Sequence, residues 1–214
     1  MPDAETTSSP DASDASPAPA AARKRPKPGE RRVQILQALA SMLEQPGAER
    51  ITTAALAARL EVSEAALYRH FASKAQMFEG LIDFIEESVF TLVNQAHERH
   101  GHEPLRQAGA IATLVLQFAE RNPGMTRVMV GDALVFEHER LQQRMNQFFD
   151  KIEAALRQCL REGAADGAAT PTVDAQVAAS LLTAFVVGRL QRFARSGFRR
   201  LPSEHLEASL ARML

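Results

Sequence analysis

The stretch from residue 51 to 82, ITTAALAARLEVSEAALYRHFASKAQMFEGLI, leaves its backbone few alternatives, because capping residues, a turn and apolar spacing all fall within it. Thr52 or Thr53 can cap a short helix whose Leu56 and Leu60 lie four apart on one face and pack inward. Glu61-Val62 follow as a tight turn. Ser63 caps a second helix running to about Phe71, where Leu67 and Phe71 are again four apart and are buried together. At roughly 100° per residue, Ala65, Tyr68 and Arg69 project from the opposite side of that helix. Ser73 opens a third helix through a Ser-x-x-Gln capping box with Gln76, yet Lys74 stands in its first turn, where the helix dipole disfavours a cation. A bound phosphate accounts for that lysine. Two short helices, a tight turn and polar groups facing outward from the second are the sequence form of a helix-turn-helix.

In such a motif one set of groups fixes register on the duplex and another reads bases. Lys74, the Tyr68 hydroxyl, His70 and Thr53 are placed to hold phosphates. Base reading falls to the exposed start of the second helix: Arg69 toward guanine, Glu64 toward a cytosine amino group, Ala65 toward a thymine methyl, with Ser63 beside them. Glu64 has a second reading, as a carboxylate answering the helix dipole.

The rest of the chain reads as helix. Glu30 to Glu44 carries Val33, Leu36, Ala40 and Leu43 at helical spacing and stops at Pro46-Gly47. The helix opened by Ser73 runs to about Arg99, with Phe78, Ile82, Ile85, Val89 and Val93 on one side and Met77, Leu81, Phe84 and Leu92 nearby, a surface broad enough to contact both a headpiece and a second bundle. Leu105 to Arg121 follows the break at Gly101, then a short helix from Asn122-Pro123-Gly124 to about Phe136 and a longer one through Leu141 and Leu160. Gly163 to Pro171 reads as a loop. Val173 to Arg195 is apolar almost all round, and Ser203 to Met213 supplies a last short helix. With no convincing strand, the expected fold is all-α, about nine helices: a tail over 1–28, a helix-turn-helix domain over 29–75 and a helical regulatory and dimerisation domain over 76–214.

Charge is uneven. The first 22 residues hold four acids and no base, whereas residues 23–80 hold ten Lys or Arg against six Asp or Glu, as expected of a DNA-binding end. The tail is rich in Ala, Ser, Pro and Asp and is expected to be disordered. Its cluster of Arg23, Lys24, Arg25 and Lys27 reads equally as a solvated run or as an arm touching DNA. The lone Cys159 excludes an internal disulfide, and with no secretory signal the expected compartment is the cytoplasm. The apolar run from Val177 to Val187 is shorter than the roughly 20 residues a membrane span requires, so no membrane partner is expected.

Neither a phosphate loop nor a catalytic signature occurs, so an enzyme is not expected, and no cofactor is implied. His97, His100 and His102 with Glu98 and Glu103 are spaced too loosely for a metal site and read as a solvated helix end. Leu181, Leu182, Phe185, Val186, Val187 and Leu190 cannot all face one core, so Leu181 and Phe185, with Gly188 permitting close approach, are candidates for a dimer interface. The two helices either side of Gly101 should pack as antiparallel neighbours. Phe84, Leu114, Gln117 and Arg121 would then border a groove for an extended peptide, with Asn122 meeting its backbone.

VSEAALYRHFASKAQMF, with RRVQILQALASML upstream, resembles the DNA-binding domain of the TetR family. ITTAALAARLEVSEAALYRHFASK, ERNPGMTR and ALVFEHERLQQRMNQFFDKIEAALRQ resemble the SlmA-type nucleoid occlusion factors over most of residues 30 to 165. This second resemblance implies homodimers on palindromic double-stranded DNA at the nucleoid, with room for more than one dimer per site. It also implies that the DNA-bound protein engages the C-terminal tail of the division protein FtsZ and antagonises Z-ring assembly. The TetR resemblance alone would also fit a repressor released from operator DNA by a small ligand.

Overall fold

Thr52 Oγ1 accepts a hydrogen bond from the Ala55 N–H at 3.1 Å, Ser63 Oγ from Ala66 at 3.3 Å, Ser73 Oγ from Gln76 at 3.2 Å and Asp174 Oδ1 from Gln176 at 2.9 Å. Each satisfies a donor that a helix start leaves unpaired. They open α2 (Thr53–Arg59), α3 (Glu64–Tyr68), α4 (Lys74–Arg99) and α8 (Ala175–Arg195). The others are α1 (Glu30–Leu43), α5 (Pro104–Arg121), α6 (Pro123–Met129), α7 (Glu139–Ala165) and α9 (Leu206–Leu210), with a 3-10 turn at Asp132–Leu134. This computed structural model describes residues 29–45, 50–165 and 174–214; among these residues the fold is all-helical and contains no strand. The tail and its basic cluster, Pro46-Gly47 and residues 166–173 lie outside the described residues.

The headpiece buries Ile35, Leu39 and Leu43 of α1 against Leu56, Leu67 and Phe71, and α4 closes it with Met77 and Phe78. The same α4 then enters the bundle, where Ile85, Val89 and Val93 join Ile111 and Val115 of α5, Phe148 and Ile152 of α7 and Val186 of α8, all fully or nearly fully buried. Helix α7 runs alongside α4 in the same direction. Arg140 meets Glu79 at 2.8 Å, Arg144 meets Asp83 at 2.9 Å and Glu86 at 2.7 Å, and the Phe90 and Phe148 rings pack edge to face at 5.7 Å. Burial works against the Arg144 charge, but the hydrogen bonds to Asp83 and Glu86 outweigh it and hold its pKa above the ordinary value.

Several details differ from the sequence reading. Helix α1 buries Ile35, Leu39, Ala40 and Leu43 and leaves Val33 52% exposed; two apolar stripes at helical spacing compete there, and the headpiece core takes the one containing Ile35. Helix α3 ends at Tyr68 rather than Phe71, since the His70 N–H turns to the Leu67 carbonyl at 2.9 Å. Gln76 does not close the capping box on Ser73: its Oε1 accepts from the Ala72 N–H, at 2.8 Å. The short helix expected to reach Phe136 stops at Met129, because Gly131 adopts φ 85°. Gly163 does not begin a loop but lies buried within α7, where it admits Leu105; a Cβ there would lie 3.0 Å from the leucine side chain. The last helix is confined to Leu206–Leu210, after His205 in left-handed backbone.

Helix α8 is longer than its central apolar run and, by length and composition alone, could reach across a membrane. Within this fold its Ala179, Leu182, Val186 and Leu190 side is buried, while Val177 and Leu181 stay exposed.

Candidate nucleic-acid interface and peptide groove

The turn between α2 and α3 is fixed by backbone chemistry. Glu61 takes left-handed backbone at φ 54°, with its N–H on the Ala58 carbonyl at 3.1 Å and the Val62 N–H on the Ala57 carbonyl at 3.0 Å, the paired bonds of a Schellman stop. This stop sets α3 outside the core, held by Leu67 alone among its buried residues. Ser63, Glu64, Ala65, Tyr68 and Arg69 are all exposed, Tyr68 at 46%.

These side chains are not equally available. Thr53 Oγ1 donates to Glu64 Oε2 at 2.5 Å and receives the Tyr68 hydroxyl at 3.5 Å, so Thr53, Glu64 and Tyr68 tie α2 to α3. Ser63 Oγ caps its helix. Arg69 has no side-chain partner among the described residues. His70 is half-buried, and its carbonyl accepts from Arg32, whose guanidinium also lies 4.1 Å over the Phe71 ring. Lys74 pairs with Glu137, a carboxylate only 10% exposed. Arg32 and Glu137 were not singled out from the sequence. Arg32 precedes an apolar stripe and so reads as an ordinary surface cation, and Glu137 is remote from Lys74 in the chain.

A second site lies between α4 and α5. Phe84, Leu114, Gln117, Arg121 and Asn122 line one cleft of about 520 Å³, with Glu87, Leu92 and Phe118 among its other walls. Phe84 is 47% exposed, Leu114 half-buried, and Arg121 exposed with no partner among the described residues. Asn122 already donates from Nδ2 to the Phe118 carbonyl at 2.7 Å, which leaves its side-chain oxygen and its second N–H for a ligand. A smaller cleft shares Leu92, Leu114 and Gln117 and continues the groove to Arg99, so the combined trough has an arginine toward each end and Glu87 between.

At the end of α4 His97 turns inward, while Glu98, His102 and Glu103 stay exposed, as expected of a solvated helix end. Gln107, buried, faces His97 Nδ1 at 2.8 Å, donates to the His100 carbonyl at 3.0 Å and accepts from Cys159 Sγ at 3.6 Å. Among the described residues no group of three or more His, Cys, Asp or Glu could hold a metal ion. On α8, Leu181 is 60% exposed and a Cβ on Gly188 would meet open space, whereas Phe185 is half-buried beneath the Arg189 guanidinium at 4.7 Å.

Residues 35–81 match the model for bacterial regulatory proteins of the tetR family, and residues 103–213 match the SlmA-like model for tetracyclin repressor-like C-terminal domains. The nucleoid occlusion factor SlmA of Idiomarina loihiensis is 53% identical over 178 residues, 83% of this chain and 90% of that protein. That of Vibrio cholerae is 51% identical over the same length and shares. The chain belongs to the SlmA nucleoid occlusion factors of the TetR family. The fold agrees with that membership. The TetR family regulator PfmR from Thermus thermophilus superposes with a TM-score of 0.71 at 22% identity, over 85% of this chain and 97% of that one. The MbdR regulator from Azoarcus gives 0.73 at 15% identity, over 86% and 97%. At such identities these two likenesses speak for the fold alone, and the SlmA relatives carry the narrower assignment.

Proposed function

We propose that this SlmA-family chain acts by binding rather than catalysis, as a homodimer on palindromic DNA that captures the C-terminal tail of FtsZ and so keeps the Z-ring from assembling over the nucleoid. The observation that carries this reading is the α4–α5 groove. It offers half-exposed Phe84 and Leu114 for apolar side chains, an unpaired Arg121 for an acidic one and Asn122 at the helix end for a peptide backbone. A helix pair with apolar anchors and one flanking cation is suited to an extended segment of mixed apolar and acidic residues. The headpiece supplies the DNA function. In this reading the exposed Arg69 and Ala65 meet base edges with Ser63 and Glu64 beside them, and Lys74, Tyr68, His70 and Thr53 hold backbone phosphates, Lys74 on release from Glu137. The compartment that goes with these roles is the cytoplasmic nucleoid.

The test is a pair of titrations on Arg121→Asp, one with operator duplex and one with FtsZ-tail peptide. The expected outcome is loss of peptide binding by at least tenfold, with dimerisation and operator affinity unchanged. If both titrations match wild type, the groove is misplaced. If wild type ignores the peptide even on DNA, the partner is wrong.

A further inference from the structure

The end of α8 and the segment after it concentrate positive charge. Arg189, Arg192, Arg199 and Arg200 line one open cavity of about 760 Å³, in which Glu204 is the carboxylate. That carboxylate lies 3.7 Å from His205 rather than against a guanidinium. Neither Arg192 nor Arg200 has a side-chain partner among the described residues.

The surface is held in shape by its own loop. Gly197 and Phe198 both adopt left-handed backbone, at φ 62° and 63°. A bulky residue persists there only where its surroundings enforce it. The enforcement is visible: the Phe198 ring packs 5.1 Å from buried Phe193 and beneath the Arg127 guanidinium, at 5.2 Å. Ser196 Oγ accepts from the Arg199 and Arg200 N–H groups at 3.1 and 2.9 Å. Arg189 closes the far side through the Pro202 and Glu204 carbonyls and Ser209 Oγ. The result is a tight corner that holds Arg199 and Arg200 side by side at the surface.

The corner lies at the headpiece end of the bundle. Arg127 belongs to α6, and α6 presses on α1 so closely that a Cβ on Gly124 would stand 2.0 Å from the Ala40 carbonyl oxygen. Ser203, beside the cluster, donates to Glu120 at the end of α5 at 2.5 Å. The other end of the bundle is where Leu105 meets Gly163.

Clustered guanidinium groups repel one another unless an anion joins them, and their planar forks fit phosphate oxygens two at a time. We infer that Arg199 and Arg200, with Arg192 beside them, form a second phosphate-binding surface that grips the backbone of the duplex held by the headpiece and adds affinity without sequence preference. This inference rests on the headpiece being a DNA interface. Phosphate is common to duplexes and free nucleotides. The duplex is the better occupant because the surface is open, lies at the headpiece end and is lined by four arginines with His205 as its one ring, so it offers far more to phosphate than to a lone base.

The test is the salt dependence of binding by the full-length double variant Arg199→Ala/Arg200→Ala, measured by fluorescence anisotropy on operator and scrambled duplexes. Losing two phosphate contacts should make the slope of log affinity against log salt shallower by about 2. Both duplexes should weaken by a similar factor, about tenfold, leaving the ratio between them unchanged. The Arg199→Lys/Arg200→Lys variant should recover most of the slope, which a folding defect would not allow. An unchanged slope in the alanine variant, where wild type binds both duplexes normally, overturns this surface alone. Wild type that binds neither duplex overturns the headpiece reading and this one with it. If the alanine variant loses ATP binding in equilibrium dialysis but keeps its DNA slope, the surface takes free nucleotide and the duplex assignment is overturned.

Discussion

Gly124 is where the bundle comes closest to the headpiece, and the contact is with backbone, which cannot rotate away. A Cβ 2.0 Å from the Ala40 carbonyl oxygen forces α6 off α1. Gly124→Ala should therefore destabilise the protein by about 2 kcal/mol or more, at the upper end of what overpacking produces. Thermal unfolding would register this as a fall of several degrees in Tm; an unchanged Tm would mean that α6 does not dock on α1 in solution. Cys159 gives a prediction in pH. Burial, with the charge of Glu162 adding to it, pushes the thiol from its ordinary 9.0 up to about 11. The unfolded chain ionises this thiol above pH 9 while the folded chain keeps the proton, so its contribution is intact below pH 9 and is lost as pH rises toward 11. Urea midpoints should fall as pH rises from about 9 to about 11, and the fall should be smaller in Cys159→Ala.

At the scale of elements, Lys74 and Glu137 join the first turn of α4 to the segment entering α7. A DNA phosphate at Lys74 must displace that carboxylate. Glu137→Gln should then tighten DNA binding severalfold at low salt, for operator and unrelated duplexes alike, in the same anisotropy titration; weaker binding would show that the pair positions Lys74 rather than competing for it. The helix-turn-helix was legible in the sequence because its determinants are local: Thr52, Ser63 and Ser73 each act within three residues of themselves. The groove residues could be grouped because α4 and α5 are consecutive and only a short break lies between them. What was not legible depends on distant partners. Val33 and Ile35 head rival apolar stripes, and only the packing of the finished headpiece decides between them. Gly163 reads as a breaker until Leu105, from another helix, occupies the space its missing side chain leaves. Glu137 finds Lys74 only because α7 lies along α4.

At the scale of the whole molecule, α8 carries an apolar side that nothing else among the described residues covers, with Val177 at 51% and Leu181 at 60% exposure. A second copy of the chain, packed helix to helix about a two-fold axis, would cover it and set two recognition helices about 34 Å apart for successive major grooves. Leu181→Glu should yield a monomer by sedimentation at micromolar concentration, with DNA affinity reduced at least tenfold and the helical content of each chain retained. Phe185 is a poorer probe of the same interface, because it is half-buried under Arg189 within its own chain and its loss would also disturb the monomer.

Helix α4 is continuous from Lys74 to Arg99, so Lys74, the proposed phosphate contact, and the aromatic ring of the groove share one rigid rod, about 15 Å apart along its axis at about 1.5 Å of rise per residue. On the proposed function, a tail seated beside Phe84 would be carried at a fixed standoff from the bound duplex, and a two-fold dimer would present two tails at a fixed separation. Toward a partner that repeats its tail along a polymer, the second capture becomes intramolecular once the first has occurred. Its strength is then set by how well the spacing of the two grooves matches the repeat of the polymer, so that a weak contact with a single peptide is compatible with a firm hold on the assembled filament.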